Sequence, residues 1–340
     1  MRFSELKSSI LAQFQHPMGN RVVPFIVGKP GGGKSSVARE IAQELAVRFG
    51  IPDSRIVEFN PSLREPSDVL GLPQFNGECT KWLPPEEFYA LRHGVGPCVL
   101  IIEELSDAQI DMQNPLCRVI LDRYAGNLKL SDQLYIIATG NRTEDKSGAN
   151  RLSTKLANRM RTLEFSENLE DWIEWATANG VSPLLTAFIR WRPNLLSDFD
   201  PNRPRNPTPR SWADVALVPE DLPEQQYYDH VAGAVGDGAA AEYVGFRKIF
   251  DSLPDYELIK SKPATAPIPE EESVLFALCA KLVSDLTKEN VLKMWKYIQR
   301  LRPEFCAMVM LEAQKRDRRL ASSKAFVEFC ALHGAALTAV

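Results

Sequence analysis

The sequence predicts an α/β fold: a parallel sheet flanked by helices, followed by a second half built of helices alone. Three observations predict it. Short apolar runs of strand length recur in the first 165 residues, end on glycine or polar residues, and are followed by stretches with helical spacing. One of these strand-to-helix junctions is a glycine-rich loop. Beyond Phe165 the apolar residues keep to the helical period.

Met1 to Gln15 reads as a polar amphipathic helix and lacks the apolar core of a signal peptide. Val22 to Val27 reads as a buried strand, and Val37, Ala38, Ile41, Ala42, Leu45 and Phe49 repeat at helical spacing from about Lys34. Between them, Gly28-Lys29-Pro30-Gly31-Gly32-Gly33-Lys34-Ser35 fits the phosphate-loop pattern G-x-x-x-x-G-K-[ST]. Glycines let backbone N–H groups curl around the β- and γ-phosphates, and the helix N-terminus adds its positive dipole. Lys34 is expected to reach the phosphates and the Ser35 hydroxyl to ligate Mg²⁺, with Gly28 through Ser36 forming the cradle. The alternative, a glycine turn between strand and helix, requires the glycines, the lysine and the serine all to be coincidental. A bound nucleoside triphosphate is the expectation.

At 340 residues the chain exceeds the ~250–300 at which a single core usually divides, so two domains are expected. A net charge of −4 gives no global attraction to nucleic acid. Cys79, Cys98, Cys117, Cys279, Cys306 and Cys330 lie far apart without a C-x-x-C pair, and the four histidines are scattered, so no zinc site is expected. No apolar run approaches the ~18 residues of a membrane span, which makes the cytoplasm the default expectation.

A second strand, Cys98 to Ile102, ends on Glu103-Glu104, where ligands bind in a parallel sheet. Glu103 is expected to hold Mg²⁺ through its water shell and Glu104 to polarise the attacking water, because one carboxylate cannot do both. The bland reading is a strand ending in a solvated acidic turn. A third strand, Leu134 to Thr139, ends at Gly140-Asn141, whose amide offers a donor and an acceptor to a nucleophilic water. Alone, that ending would be a turn; the order of the three junctions gives it weight.

In this order the chain resembles the AAA+ ATPases, and among them the MoxR-like group, from about Val22 to Phe250. Gly28 to Ser35 look like Walker A, Cys98 to Glu104 like Walker B, and Asn141 like sensor 1. Leu156-Ala157-Asn158-Arg159-Met160 resembles the segment that carries the arginine finger, and Pro207 to Trp212 resembles the start of a sensor 2 helix. Asp68 to Pro73, with Trp82 to Pro85, looks like the helix-2 insert. The resemblance implies a P-loop NTPase (AAA+) parallel-sheet core with an α-helical C-terminal lid and further C-terminal helices. It also implies a ring, usually a hexamer, with ATP at each interface. Arg159 would then act on the neighbour's nucleotide and Arg210 in cis from the lid, with Arg142, Arg151 and Arg161 as competing arginines. MoxR-like proteins commonly work with a partner bearing a von Willebrand factor A domain, so the resemblance implies a protein client. The chain departs from the family in having Glu103 where Asp is usual, which leaves binding secure and the hydrolysis rate in question.

The boundaries expected are a nucleotide-binding domain over 1–166, a lid over 167–252, a proline-marked linker over 253–272 and a helical segment over 273–340. Trp172 and Trp175 are expected to face one way as lid core, on a helix ended by Gly180. Val235 to Ala241 reads as the close-packed start of a helix, and Leu275, Leu278, Leu282 and Leu286 mark another. Lys315 to Arg319 is the one dense basic run and reads as a solvated helix end. The leading function is an ATP-hydrolysing remodelling chaperone. The alternatives are a DNA-acting protein of loader or transposition-regulator type, a nucleotide-dependent interaction module with little hydrolysis, and a small-molecule kinase. The DNA reading wants a basic hairpin, and Phe75 to Lys81 and Asn127 to Asp132 carry little charge.

Overall fold

The five-stranded sheet follows from alternation within each apolar run. The computed structural model describes residues 1–75, 77–142, 152–251, 253 and 256–337; Arg151 and, within the stretch from Phe75 to Lys81, Asn76 lie outside the described residues. The chain forms two units, Met1–Asn168 and Leu169–Val340.

In the first unit the strands are β1 (Val23–Gly28), β2 (Ile56–Phe59), β3 (Leu72–Phe75), β4 (Thr80–Leu83), β5 (Cys98–Ile102), β6 (Tyr124–Ala125), β7 (Leu128–Lys129), β8 (Leu134–Asn141) and β9 (Met160–Glu164). The helices are α1 (Phe3–Gln15), α2 (Lys34–Phe49), α3 (Ser67–Leu70), α4 (Glu86–Ala90), α5 (Ile110–Asp122) and α6 (Thr154–Ala157). The main sheet runs β2-β5-β8-β1-β9, with every neighbouring pair parallel. Side chains alternate between its faces. Cys98, Leu100 and Ile102 join one core with Met112, Leu116 and Val119 of α5. Val99 and Ile101 join the other, with Leu6 and Ile10 of α1 and Val37 and Ile41 of α2. Burial on both faces is why these strands are apolar throughout. The expected hairpin is present: β3 and β4 pair antiparallel and leave Leu72, Phe75, Trp82 and Leu83 exposed.

The second unit is helical, from α7 (Leu169–Ala178), α8 (Pro183–Trp191), α9 (Pro209–Val215), α10 (Glu224–Val235) and α11 (Asp237–Asp251) through α12 (Tyr256–Ser261), α13 (Glu272–Asp285), α14 (Val291–Ile298), α15 (Pro303–Arg316) and α16 (Lys324–Leu337). Its aromatic core places Phe188 among Trp191, Trp212, Tyr243 and Phe246. Two details differ from the sequence reading. The stretch 253–272 contains α12, whose Tyr256 and Ile259 are buried with residues of α13 and α14. Pro263, Pro267 and Pro269 all fall after that helix, so they shape its exit and do not prevent it. Trp172 is buried as core, whereas Trp175, three residues on, is 37% exposed at the edge of the helix face.

Candidate functional site

Gly28 ends β1, and the loop that follows turns into α2 at Lys34. A Cβ on Gly28 would stand 2.7 Å from the Phe165 carbonyl oxygen, so only glycine lets β1 lie this close to the chain leaving β9. Gly33, immediately before the helix, has φ +102°, which a side chain rarely adopts. These two positions give the loop its curl.

Lys34 is 8% exposed. Its Nζ donates to the carbonyls of Gly28 at 2.9 Å and Lys29 at 2.6 Å, and to Asn141 Oδ1 at 3.0 Å. The Asn141 contact is built into the sheet, because β1 and β8 are neighbours and Gly28 and Asn141 are paired in register. Asn141 is held on its other sides too. Its backbone N–H donates to Ser106 Oγ at 2.8 Å and its Nδ2 to Asp107 Oδ2 at 3.3 Å, while Ser106 Oγ donates to Asp107 Oδ1 at 2.7 Å. The amide is thus oriented between an ammonium and a carboxylate, with its oxygen toward Lys34.

The acid pair follows β5 at its carboxyl end. Glu103 donates its backbone N–H to the Phe59 carbonyl, and its Oε1 accepts from Arg39 Nη2 at 2.8 Å. Arg39 also grips Glu58, through Nε and Nη2, both at 2.9 Å. The hydrogen bonds to Glu58, with the charges of Glu103 and Glu58, outweigh desolvation and raise the Arg39 pKa. Glu104 is one of two non-glycine residues with positive φ among the described residues, at 53°. Such a backbone costs on the order of 1 kcal/mol and turns the chain sharply after the strand. Its Oε2 accepts from Asn60 Nδ2 at 3.0 Å and from Ser62 Oγ at 3.4 Å.

The expected residues Lys34, Glu103, Glu104 and Asn141 therefore gather at the carboxyl ends of β1, β5 and β8, the crevice where parallel sheets bind ligands. Ser35 and Ser36 lie in the first turn of α2, with Ser35 half-buried and Ser36 exposed. Arg159 lies in the turn between α6 and β9 and is exposed. Among the described residues its side chain makes no hydrogen bond or ion pair, whereas Arg161 is tied to Gln13 at 3.1 Å. Arg210 belongs to the second unit, exposed in the first turn of α9 behind the Thr208–Ser211 capping box. Sequence reasoning missed Arg39, Asn60, Ser62, Ser106 and Asp107. Asn60 was detectable in principle, as a polar residue following a short strand-like stretch in which Ile56, Val57 and Phe59 are apolar.

Among the described residues no cluster of three or more His, Cys, Asp or Glu could hold a metal alone. The Ser35 hydroxyl and the second carboxylate oxygen of Glu103 are hard oxygen donors, and they suit a Mg²⁺ whose remaining positions go to phosphate oxygens and water.

Residues 24–160 match the family model of the AAA domain, dynein-related subfamily. No curated protein matches the chain. Among solved structures, a Cytophaga hutchinsonii protein is 13% identical over 56% of this chain, which spans 63% of that one, with a TM-score of 0.33. NtrX from Brucella abortus in complex with ADP is 16% identical over 98% of this chain and 67% of its own, at TM-score 0.35. A point mutant of RuvB from Thermotoga maritima is 14% identical over 97% of this chain and 87% of its own, at TM-score 0.36. These likenesses are too distant to carry a functional argument. The family match and the chain's own site remain.

Proposed function

Taking the AAA domain of residues 24–160 as the premise, we propose that the chain is a MoxR-like, ATP-hydrolysing ring ATPase that remodels a protein client. The observation that carries this is the direct contact of Lys34 with Asn141, in register at the ends of adjacent strands, beside the Glu103-Glu104 pair. Lys34 and the loop N–H groups hold the β- and γ-phosphates. The phosphates take over from the two loop carbonyls that Lys34 now serves. Ser35 and Glu103 would hold Mg²⁺, which when bound neutralises charge on the phosphate oxygens. Glu104 polarises the attacking water, and Asn141, already oriented by Asp107 and Ser106, positions it against the γ-phosphate. Arg159, exposed in the turn before β9, acts on the nucleotide of a neighbouring copy, where a guanidinium is worth roughly 10³–10⁵ in rate. In the helical unit, Arg210 at the start of α9 is the candidate for the sensor 2 role.

The exposed apolar residues of the β3–β4 hairpin favour a protein client over DNA, since Leu72, Phe75, Trp82 and Leu83 offer no charge to phosphate. A second reading has its own support: Glu103 already shares a carboxylate oxygen with Arg39, as it would in a nucleotide-dependent interaction module that hydrolyses slowly. The test is the solution mass of the Glu104→Gln chain with and without ATP and Mg²⁺. A shift to a hexamer-sized species supports the ring; a monomer under both conditions removes the trans role of Arg159 for the isolated chain.

A further inference from the structure

The opposite edge of the main sheet holds a second cluster of charge that the nucleotide site does not use. Arg55 stands directly before β2, Cys98 opens β5, Ser131 precedes β8, and Asn20 and Arg21 precede β1. Those four strands are consecutive neighbours in the sheet, so their amino ends bring these residues together. Arg123, at the end of α5 with φ 59°, reaches the same place and donates from Nη2 to the Asn20 carbonyl.

Arg55 is 6% exposed. Its Nη2 donates to the Gly96 carbonyl at 3.0 Å, an oxygen that also accepts from Ser131 Oγ at 2.7 Å. Its Nε and Nη1 are buried with no hydrogen-bond partner, and so is Arg123 Nη1. Among the described residues six buried side-chain atoms lack a partner, and three of them are these guanidinium nitrogens. Neither arginine makes an ion pair with a described acid. Burial lowers the Arg123 pKa to about 10, with the Cys98 thiol opposing it and Arg21 adding to it. Burial likewise raises the Cys98 thiol, opposed by the nearby Arg55 charge and by Ser131. Two desolvated cations with unfilled donors and no carboxylate are costly unless something negative completes them.

We propose that Arg55 and Arg123, with Ser131 and Cys98 beside them, form a binding site for a small oxyanion of the size of phosphate, on the sheet edge opposite the nucleotide. The empty guanidinium donors supply charge-assisted hydrogen bonds, and the depth of Arg55 selects a free ion over a polymer backbone. The anion stitches the starts of β2, β5 and β8 to the end of α5.

The experiment titrates inorganic phosphate, against chloride at matched ionic strength, into the wild-type chain and the Lys34→Ala and Arg55→Met variants. It reads the thermal midpoint and the ³¹P line width. Lys34→Ala weakens phosphate binding at the glycine loop and should keep a saturable response. In a Lys34→Ala/Arg55→Met chain the apparent affinity should fall about tenfold or more, as expected for losing charged donors. In phosphate-free buffer Arg55→Met should melt no lower than wild type, since it removes an uncompensated buried charge. If Arg55→Met does not fold, Arg123→Met in the Lys34→Ala background makes the same test. A phosphate response unchanged by the arginine variant, a response abolished by Lys34→Ala alone, or phosphate and chloride acting alike would each overturn the proposal.

Discussion

Arg190 on α8 is buried against Glu312 on α15, and removing one partner should cost the second unit much of its stability. Arg190 Nε donates to Glu312 Oε1 at 2.9 Å, and Nη1 donates to Glu170 at 2.7 Å. The Glu312 side chain is 9% exposed and that of Arg190 19%, whereas Glu170 is largely in solvent. Stranding one partner of a buried pair costs ~3–5 kcal/mol. Arg190 keeps Glu170, so Glu312→Ala should lose about 2–3 kcal/mol, or about 1 M in urea midpoint for a slope of ~2–3 kcal/mol/M. The double variant Arg190→Met/Glu312→Met should return to within about 1 kcal/mol of wild type, because the desolvation of both charges disappears with them. Tryptophan fluorescence is the assay, since five of the six tryptophans lie in the second unit. Losses that simply add, or a Glu312→Ala loss below about 1 kcal/mol, would refute the reasoning.

Three further outcomes follow from the same contacts. Burial, opposed by Arg190, raises the Glu312 carboxyl above the usual carboxylate range. The folded state therefore holds that proton more tightly. Its stabilising contribution is present at low pH and lost as pH rises through the folded value, and Glu312→Gln should flatten that slope in urea titrations repeated from about pH 4 upward. Gly33→Ala forces a side chain onto φ +102° and should cost about 1–3 kcal/mol with loss of nucleotide binding, measured by melting and by a fluorescent ATP analogue. Arg39→Ala leaves Glu58 and Glu103 uncompensated beside the phosphates, so ATP in EDTA should bind several-fold more weakly while Mg-ATP changes less. Equal losses in both conditions would contradict that electrostatic account.

The site's main axis was legible because its parts are local. The glycine loop, the acids after Ile102 and the amide after Gly140 each sit at the end of an apolar run, and a parallel sheet aligns such ends. The residues that hold them were not legible. Arg39 on α2 meets Glu103 across 64 positions, and Asn60 meets Glu104 across 44 because β2 and β5 are sheet neighbours without being consecutive in sequence. The orphaned arginines at the far edge were hidden for the same reason, since charge in a sequence does not say whether it is solvated. In the helical unit the prolines after Ser261 concealed α12, because they mark only where a helix stops.

The central claim is that Lys34 and Glu104 bind and hydrolyse ATP at the ends of β1 and β5. Steady-state phosphate release, measured alongside binding of a fluorescent ATP analogue, tests it most directly. The account predicts turnover by the wild-type chain, loss of binding and turnover in Lys34→Ala, and retained binding with at least a roughly hundredfold slower turnover in Glu104→Gln, on the order expected for losing a positioned base. Wild-type turnover that survives both substitutions would contradict it.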